Sequence, residues 1–253
     1  MPSPYRPLAV AAACLFAATA PVLAHANCQS YFDDSSQMTD TLTKAFTAMN
    51  AKDTASYATI LPQLTQLLDS FPASEIAAET CTDHINTYSA YQYTELSILR
   101  AHKVASGFSD TLPLVKQPEL NHIQLAYAVG WINYEQGNYE AALAAYGKGL
   151  AMFPHNHELQ NEYAATLLQL DRSEDAVTFV TQVLSDTYDL DDTMRGKMYA
   201  ALGVAEVQEG DTENAESNLN VAQLYNYTDD TKSMLDSLAR LKADSKGTGS
   251  GTQ

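Results

Sequence analysis

The sequence predicts an all-α protein, an α-solenoid of stacked helical hairpins, and three observations lead there. First, residues 123–156 carry two apolar stripes at helical spacing: Ile123, Ala126, Tyr127, Gly130, Trp131 and Tyr134, then Tyr139, Ala142, Leu143, Tyr146 and Leu150. Gly137-Asn138 interrupts the pattern and Pro154 ends it, so the segment reads as two short helices folded back on each other. Second, the pattern recurs. Moving on 34 residues turns Gly130, Ala142 and Leu150 into Ala164, Ala176 and Leu184, around a break at Asp171-Arg172. A third copy, 39 residues further, places Gly203, Gly210-Asp211 and Ala215 in the same order, followed by Ala222. The common shift of five residues points to one insertion near residues 186–193. Third, one such hairpin cannot bury both of its apolar faces, whereas a stack of them can.

Taken in order, residues 1–26 read as a secretory signal outside the fold. Arg6 precedes the apolar run LAVAAACLFAATAPVLA, short and alanine-rich for a membrane span, and Ala24-His25-Ala26 forms an A-x-A cleavage site. Cleavage after Ala26 places the mature chain in the periplasm with no membrane span; an uncleaved anchor is the alternative. The context Ala11-Ala12-Ala13-Cys14 lacks the large aliphatic residue that a lipidated cysteine needs.

Residues 27–118 form a helical N-terminal region. Residues 39–51 and 57–71 look like a helical pair, with Leu42, Ala45, Phe46 and Met49 on one face and Ile60, Leu61, Leu64, Leu67 and Leu68 on the other. Pro62 falls in the opening turns of the second helix, where its missing N–H costs little. The pair is open to a reading as a diverged repeat, since Phe71-Pro72 resembles Phe153-Pro154, but no small residues are found at matching positions, which leaves it a helical N-terminal region. Residues 74–106 read as a long helical stretch, whole or broken near residues 82–86. Gly107, Pro113 and Pro118 make residues 107–118 the best internal boundary.

Residues 119–229 hold the three recurring hairpins. Residues 230–243 form an amphipathic helix, with Met234, Leu235, Leu238 and Leu241 inward, suited to capping the last apolar face. The Ser-, Gly- and Thr-rich end, residues 244–253, is expected to be disordered.

The recurring unit resembles the tetratricopeptide-repeat (TPR) family. The first copy meets the family pattern at Gly130, Gly137-Asn138-Tyr139, Ala142, Tyr146 and Pro154, while Ala126 and Asn133 stand where the family prefers large aromatics. The second and third keep Ala164 and Ala176, then Leu202-Gly203 and Ala215, without the closing proline. The resemblance implies a right-handed TPR-type solenoid that binds other proteins and is not an enzyme. It also implies a concave groove lined by the first helix of each hairpin. By register that groove presents Gln124, Tyr127, Trp131, Tyr134 and Glu135, then Glu158, Asn161, Ala165 and Gln169, then Lys197, Ala200, Val204 and Gln208. It would take a peptide segment or helix of another envelope protein. The Lys/Arg clamp with which some members hold a terminal carboxylate is not matched; Asn161 and Lys197 come nearest.

Charge and cysteines narrow the function further. The chain carries a net charge of −17, and losing Arg6 with the signal takes it to −18. That balance disfavours nucleic acid and anionic membrane surfaces as partners and fits solubility, or a basic partner; it reads as a solvation feature rather than a binding signal. Without Cys14, the mature chain has Cys28 and Cys81, an even pair in an oxidising compartment, expected to form a disulfide; two unpaired thiols are the alternative. Loop closure on that scale contributes about 4 kcal/mol at most.

No residue set recommends catalysis or a cofactor. His155 and His157 are the nearest approach to a metal site, in a loop without further ligands at metal-site spacing. Asp33-Asp34 and residues 189–192 lack the loop pattern of a calcium cage, so no metal is expected. A small-ligand or metal-binding accessory to an envelope enzyme is the alternative function, using the His155/His157 loop or a pocket between the N-terminal region and the array. The sequence leaves open whether the chain is a monomer or a homo-oligomer.

Overall fold

A computed structural model describes residues 36–71, 74–105, 112–116, 120–186 and 190–248. The expected signal at residues 1–26 and Cys28 lie outside the described residues. The element order is α1 (Ser36–Ala51), α2 (Thr54–Asp69), β1 (Glu79–Thr80), β2 (Ile85–Thr87), α3 (Ala90–Ala105), β3 (Leu114–Lys116), α4 (Leu120–Glu135), α5 (Tyr139–Met152), α6 (His157–Gln169), α7 (Ser173–Asp186), α8 (Asp192–Glu209), α9 (Thr212–Tyr225) and α10 (Asp229–Thr248).

The helices stack as an all-α solenoid. α4 and α5 pack on α6, α6 and α7 pack on α8, and α9 closes on α8 and receives α10. Each hairpin is drawn together where a small residue meets a large one. A Cβ on Gly130 would fall 2.2 Å from the Tyr146 ring, and one on Gly203 would fall 2.7 Å from Leu219. In the middle unit the corresponding residues are Ala164 and Val180, both fully buried. The insertion expected near residues 186–193 is mostly an extra N-terminal turn of α8. That helix has four more residues ahead of Gly203 than α6 has ahead of Ala164. Gly196, immediately after the extra turn, lies against Asn226, the residue that follows α9.

The hairpin turns share one geometry, and it extends to α1 and α2. Lys52, Gly137, Asp171 and Gly210 have φ of 52°, 76°, 53° and 81°, each one residue ahead of the residue that precedes the second helix. The following N–H groups, of Asp53, Asn138, Arg172 and Asp211, donate to the carbonyls of Ala48, Asn133, Leu167 and Glu206 at 2.8–3.0 Å. This left-handed C-terminal motif satisfies carbonyls the helix would otherwise leave bare. Seven residues ahead of Lys52 stands Ala45, fully buried, at the place held by Gly130, Ala164 and Gly203. Counting back from the turn therefore uncovers a small residue that the apolar stripe alone does not single out. The second small position, Ala142 in the next hairpin, is Tyr57 here. α1 and α2 both pack on α4, as each later hairpin packs on the next first helix.

Pro62 is the ninth residue of α2, because the helix begins at Thr54. It therefore sits in the helix interior and not in the opening turns; its side chain is exposed, and the bond its N–H would have made is lost at the surface.

Residues 74–89 are not helical, which corrects the expected long helix. β1 pairs antiparallel with β2, and β2 pairs parallel with β3 in register Ile85 to Leu114. The run from Thr80 to Tyr88 holds three threonines, Ile85 and Tyr88 and no apolar stripe at helical spacing, a composition that favours extended chain. Residues 112–116, expected to belong to a boundary, instead supply the third strand; the Pro113 carbonyl accepts from the Ile85 N–H at 2.9 Å. This insertion is fastened to the array through the Ile76 N–H, which donates to the Met152 carbonyl at 3.1 Å. Cys81 is buried in it, with the Asn86 amide donating toward its Sγ at 3.6 Å.

α10 also departs from expectation. It continues to Thr248, so residues 244–248 are helical where disorder was expected; residues 249–253 lie outside the described residues. Leu238 is buried against Ala215 and Leu219, but Met234 and Leu241 are 38% and 55% exposed and do not face inward. They border a cleft of about 480 Å³ with Val204 and Val207 of α8. α10 packs along α9, with Lys242 paired to Glu216 near the start of that helix.

Candidate partner-binding groove

The first helices of the successive hairpins, α4, α6 and α8, lie side by side. Tyr127 and Tyr134 of α4 are partly buried, and so is Glu162 of α6, a residue that the register had not selected. Glu162 accepts a hydrogen bond from the Asn161 amide at 3.2 Å. Burial holds its carboxyl above the ordinary carboxylate range; Glu158, one turn earlier on α6, pushes the same way, while the Asn161 bond and the charge of Lys197 on α8 act against it.

The tyrosines respond to the same field. Burial, and then Glu162 and Glu158, push the Tyr127 hydroxyl up to about 12. Burial raises Tyr134 as well, with contributions from Tyr139, Glu162 and Glu135. Behind them is Tyr146 of α5, whose ring crosses α4 at Gly130. Tyr146 is fully buried, and its hydroxyl has no hydrogen-bond partner among the described residues. Its ionisation is opposed by burial first, then by Glu162, Tyr127, Tyr134 and Glu158. Tyr146 reads in the sequence as an apolar member of the α5 stripe and a position of the repeat pattern, not as a groove residue. The signal that connects it to the groove is the pairing of a tyrosine with a glycine across the hairpin, which lets a polar tip pass the backbone.

The remaining register residues divide. Glu158 and Lys197 are exposed, and Asn161 is partly buried, so these three gather around Glu162. Trp131 is partly buried and turns an edge onto Tyr57 of α2, with ring centroids 6.3 Å apart and planes at 84°. It therefore belongs in part to the packing between α2 and α4. Gln124 is partly buried on the first turns of α4, and Glu135 is exposed at its end. Gln169 is exposed at the end of α6, while Gln208 on α8 reaches back to donate to the Leu168 carbonyl at 3.4 Å.

The two loop histidines separate. His155 stacks on Tyr91 of α3, with centroids 3.6 Å apart and planes at 8°, and His157 Nδ1 lies 3.1 Å from Gln160 Oε1. They flank a cleft of about 360 Å³ between the insertion and the α5–α6 loop, bordered by Glu75, Ser89, Phe153 and Glu158. Among the described residues, no group of three or more His, Cys, Asp and Glu is placed to hold a metal ion, and no helix is long and apolar enough to cross a membrane.

Comparison with known proteins finds a family match over part of the chain. Residues 133–202 match the family model described as tetratricopeptide repeat. Among solved structures, the chain is similar to the first TPR domain of the human RPAP3 protein, at 17% identity over 49% of this chain and 95% of that one, with a TM-score of 0.44. It is also similar to a protein from Bacteroides ovatus, at 12% identity over 82% of this chain and 98% of the other, with a TM-score of 0.34. No curated protein matches.

Proposed function

We propose that this chain, a tetratricopeptide-repeat protein, is a non-enzymatic periplasmic adaptor that holds a segment of another envelope protein along α4, α6 and α8. The observation that carries the reading is the packing of the first helices, α4 on α6 and α6 on α8, with the aromatic side chains of Tyr127 and Tyr134 partly buried on α4. Tyrosine supplies large contact area with few torsions to freeze, and contributes most in a partly enclosed site. On this reading α1 and α2 form the first unit of the array, Ala26 ends a cleaved signal, and Cys28 pairs with Cys81. The family match and the apposed first helices support the adaptor; the A-x-A site supports export.

Tyr134 is the better residue to test, because removing Trp131 would also disturb its contact with Tyr57. A photo-crosslinking amino acid at Tyr134 should trap one discrete partner in intact cells, while the same group at Thr178, exposed on α7, should not. Identical adducts from both positions, or none from Tyr134, would overturn the groove.

A second reading has one observation in its favour. The cleft beside the Tyr91–His155 stack suits a small planar ligand better than a peptide, as a ligand-binding accessory would require. Calorimetric titration with zinc and with calcium tests the metal form of this reading directly.

A further inference from the structure

The array is closed unevenly at its C-terminal end. First helix packs on first helix from α4 to α6 and from α6 to α8, whereas α10 packs along α9 and leaves a cleft of about 480 Å³ between itself and α8. Val204 and Val207 of α8 line one side of it, and Ser233, Met234, Ser237 and Leu241 of α10 line the other. Leu238 of α10 is buried against α9, but Met234 and Leu241 remain exposed at the cleft. An apolar seam open to water is a face that gains by being covered. Residues 249–253, GSGTQ, offer no apolar side chain to cover it.

Charge and spacing on α10 say what does. Its 20 residues carry equal numbers of acidic and basic side chains, in a chain whose net charge is −17. Two copies of so acidic a protein repel each other, and α10 is a neutral face on which they can meet. Met234 and Leu241 stand seven residues apart, two turns of helix. An antiparallel pair of α10 helices, with its two-fold axis between Ser237 and Leu238, therefore sets Met234 of each copy against Leu241 of the other. Asp236 and Arg240 lie one turn apart on one exposed flank of the same helix. That axis brings each Arg240 level with the partner's Asp236, within about 1.5 Å along the helix, so that two ion pairs form at once.

We propose that the chain forms a two-fold dimer through α10, each α10 closing the α8–α10 cleft of the other copy. Met234 and Leu241 supply the apolar contact, with Val204 and Val207 behind them. Ser233 and Ser237 let the helices approach, and the Asp236–Arg240 pairs fix the antiparallel direction. The dimer does not depend on the adaptor reading, since α10 lies outside the α4, α6 and α8 groove.

Sedimentation equilibrium of the full mature chain should give a mass that rises with concentration from one copy to two and then stops, because a two-fold contact closes on itself. Leu241→Glu should weaken the dimer about tenfold or more by placing a carboxylate in the apolar contact. Leu99→Glu, an exposed apolar position on α3, adds the same charge elsewhere and should leave the dimer unchanged. Arg240→Asp should weaken it, and Asp236→Arg combined with Arg240→Asp, which exchanges the two charges, should restore it. A short crosslinker between thiols should join two copies of Ser237→Cys. It should not join two copies of Ser233→Cys, because the antiparallel axis separates those residues by roughly 14 Å along the helices. The wild type controls for Cys28 and Cys81.

A wild type that stays monomeric at every concentration overturns the proposal. So does a dimer that a folded Leu241→Glu variant leaves intact, or one that Leu99→Glu dissociates. If Leu241→Glu does not fold, the charge exchange decides, and failure of the double variant to regain what Arg240→Asp loses overturns the dimer. Crosslinking through Ser233 as readily as through Ser237 overturns the antiparallel arrangement.

Discussion

Gly130 lies directly beneath the Tyr146 ring: a Cβ added to the glycine would stand 2.2 Å from Cε1 and 2.5 Å from Cζ. The ring is fully buried and has no free direction in which to withdraw. Gly130→Ala should therefore destabilise the protein by about 1–3 kcal/mol, the usual cost of overpacking, despite alanine's better helix propensity. The next hairpin shows the compensated solution, Ala164 opposite Val180. Gly130→Ala combined with Tyr146→Val should recover part of the loss, and urea denaturation of the two single variants and the double measures that coupling.

The acid dependence of stability at Glu162 has a definite sign. Its folded carboxyl titrates above the ordinary value of 4.5 because burial disfavours the charge. Below 4.5 both folded and unfolded chains are protonated and burial costs nothing; as pH rises through 4.5 toward the raised folded value, stability is lost. Glu162→Gln should raise the urea midpoint at pH 7, and that gain should shrink to nothing on acidification below about 4.5. A gain that persists unchanged at low pH would show that the effect is not one of charge.

His122 acts in the other direction. It is buried against Phe71, ring centroids 3.8 Å apart, and burial lowers its pKa from 6.5 to about 4. Above 6.5 neither state carries the proton; as pH falls from 6.5 toward 4, the unfolded chain takes it up first and stability declines. The loss should reach on the order of 2 kcal/mol once solvent screening is allowed for. Comparing wild type with His122→Leu across this range isolates it, since the variant should lack this component of the decline.

Mass spectrometry of the exported protein under non-reducing conditions should find Cys28 and Cys81 joined and no alkylatable thiol. Cys81→Ser should lower stability by up to about 4 kcal/mol, most clearly in non-reducing buffer. A mature chain with two free thiols would remove the bond.

The sequence alone determined the repeated architecture, for a physical reason. A hairpin of two amphipathic helices leaves a record at each position where the backbones meet, and Gly130, Ala164 and Gly203 keep that record in register. The turns are equally local, because a left-handed residue followed by a helix start is written in a few neighbouring residues, as at Gly137-Asn138-Tyr139 and Gly210-Asp211-Thr212. Lys52-Asp53-Thr54 carries the same turn without a glycine, and Ala45 behind it is one alanine among many, so their kinship with the other hairpins emerges from hydrogen bonds and packing.

Tertiary structure decided what depends on partners distant in the chain. Residues 79–87 form strands because β2 finds β3 across an intervening helix, a pairing with no helical or local signature. Trp131 and Tyr127 share one stripe in sequence, yet Trp131 leans on Tyr57 while Tyr127 is set among the α6 carboxylates. Above all, Tyr146 read as one more apolar residue of α5. Only the glycine opposite it, on another helix, lets the ring cross α4, and desolvation gives its hydroxyl and the Glu162 carboxyl properties that neither has in its own segment.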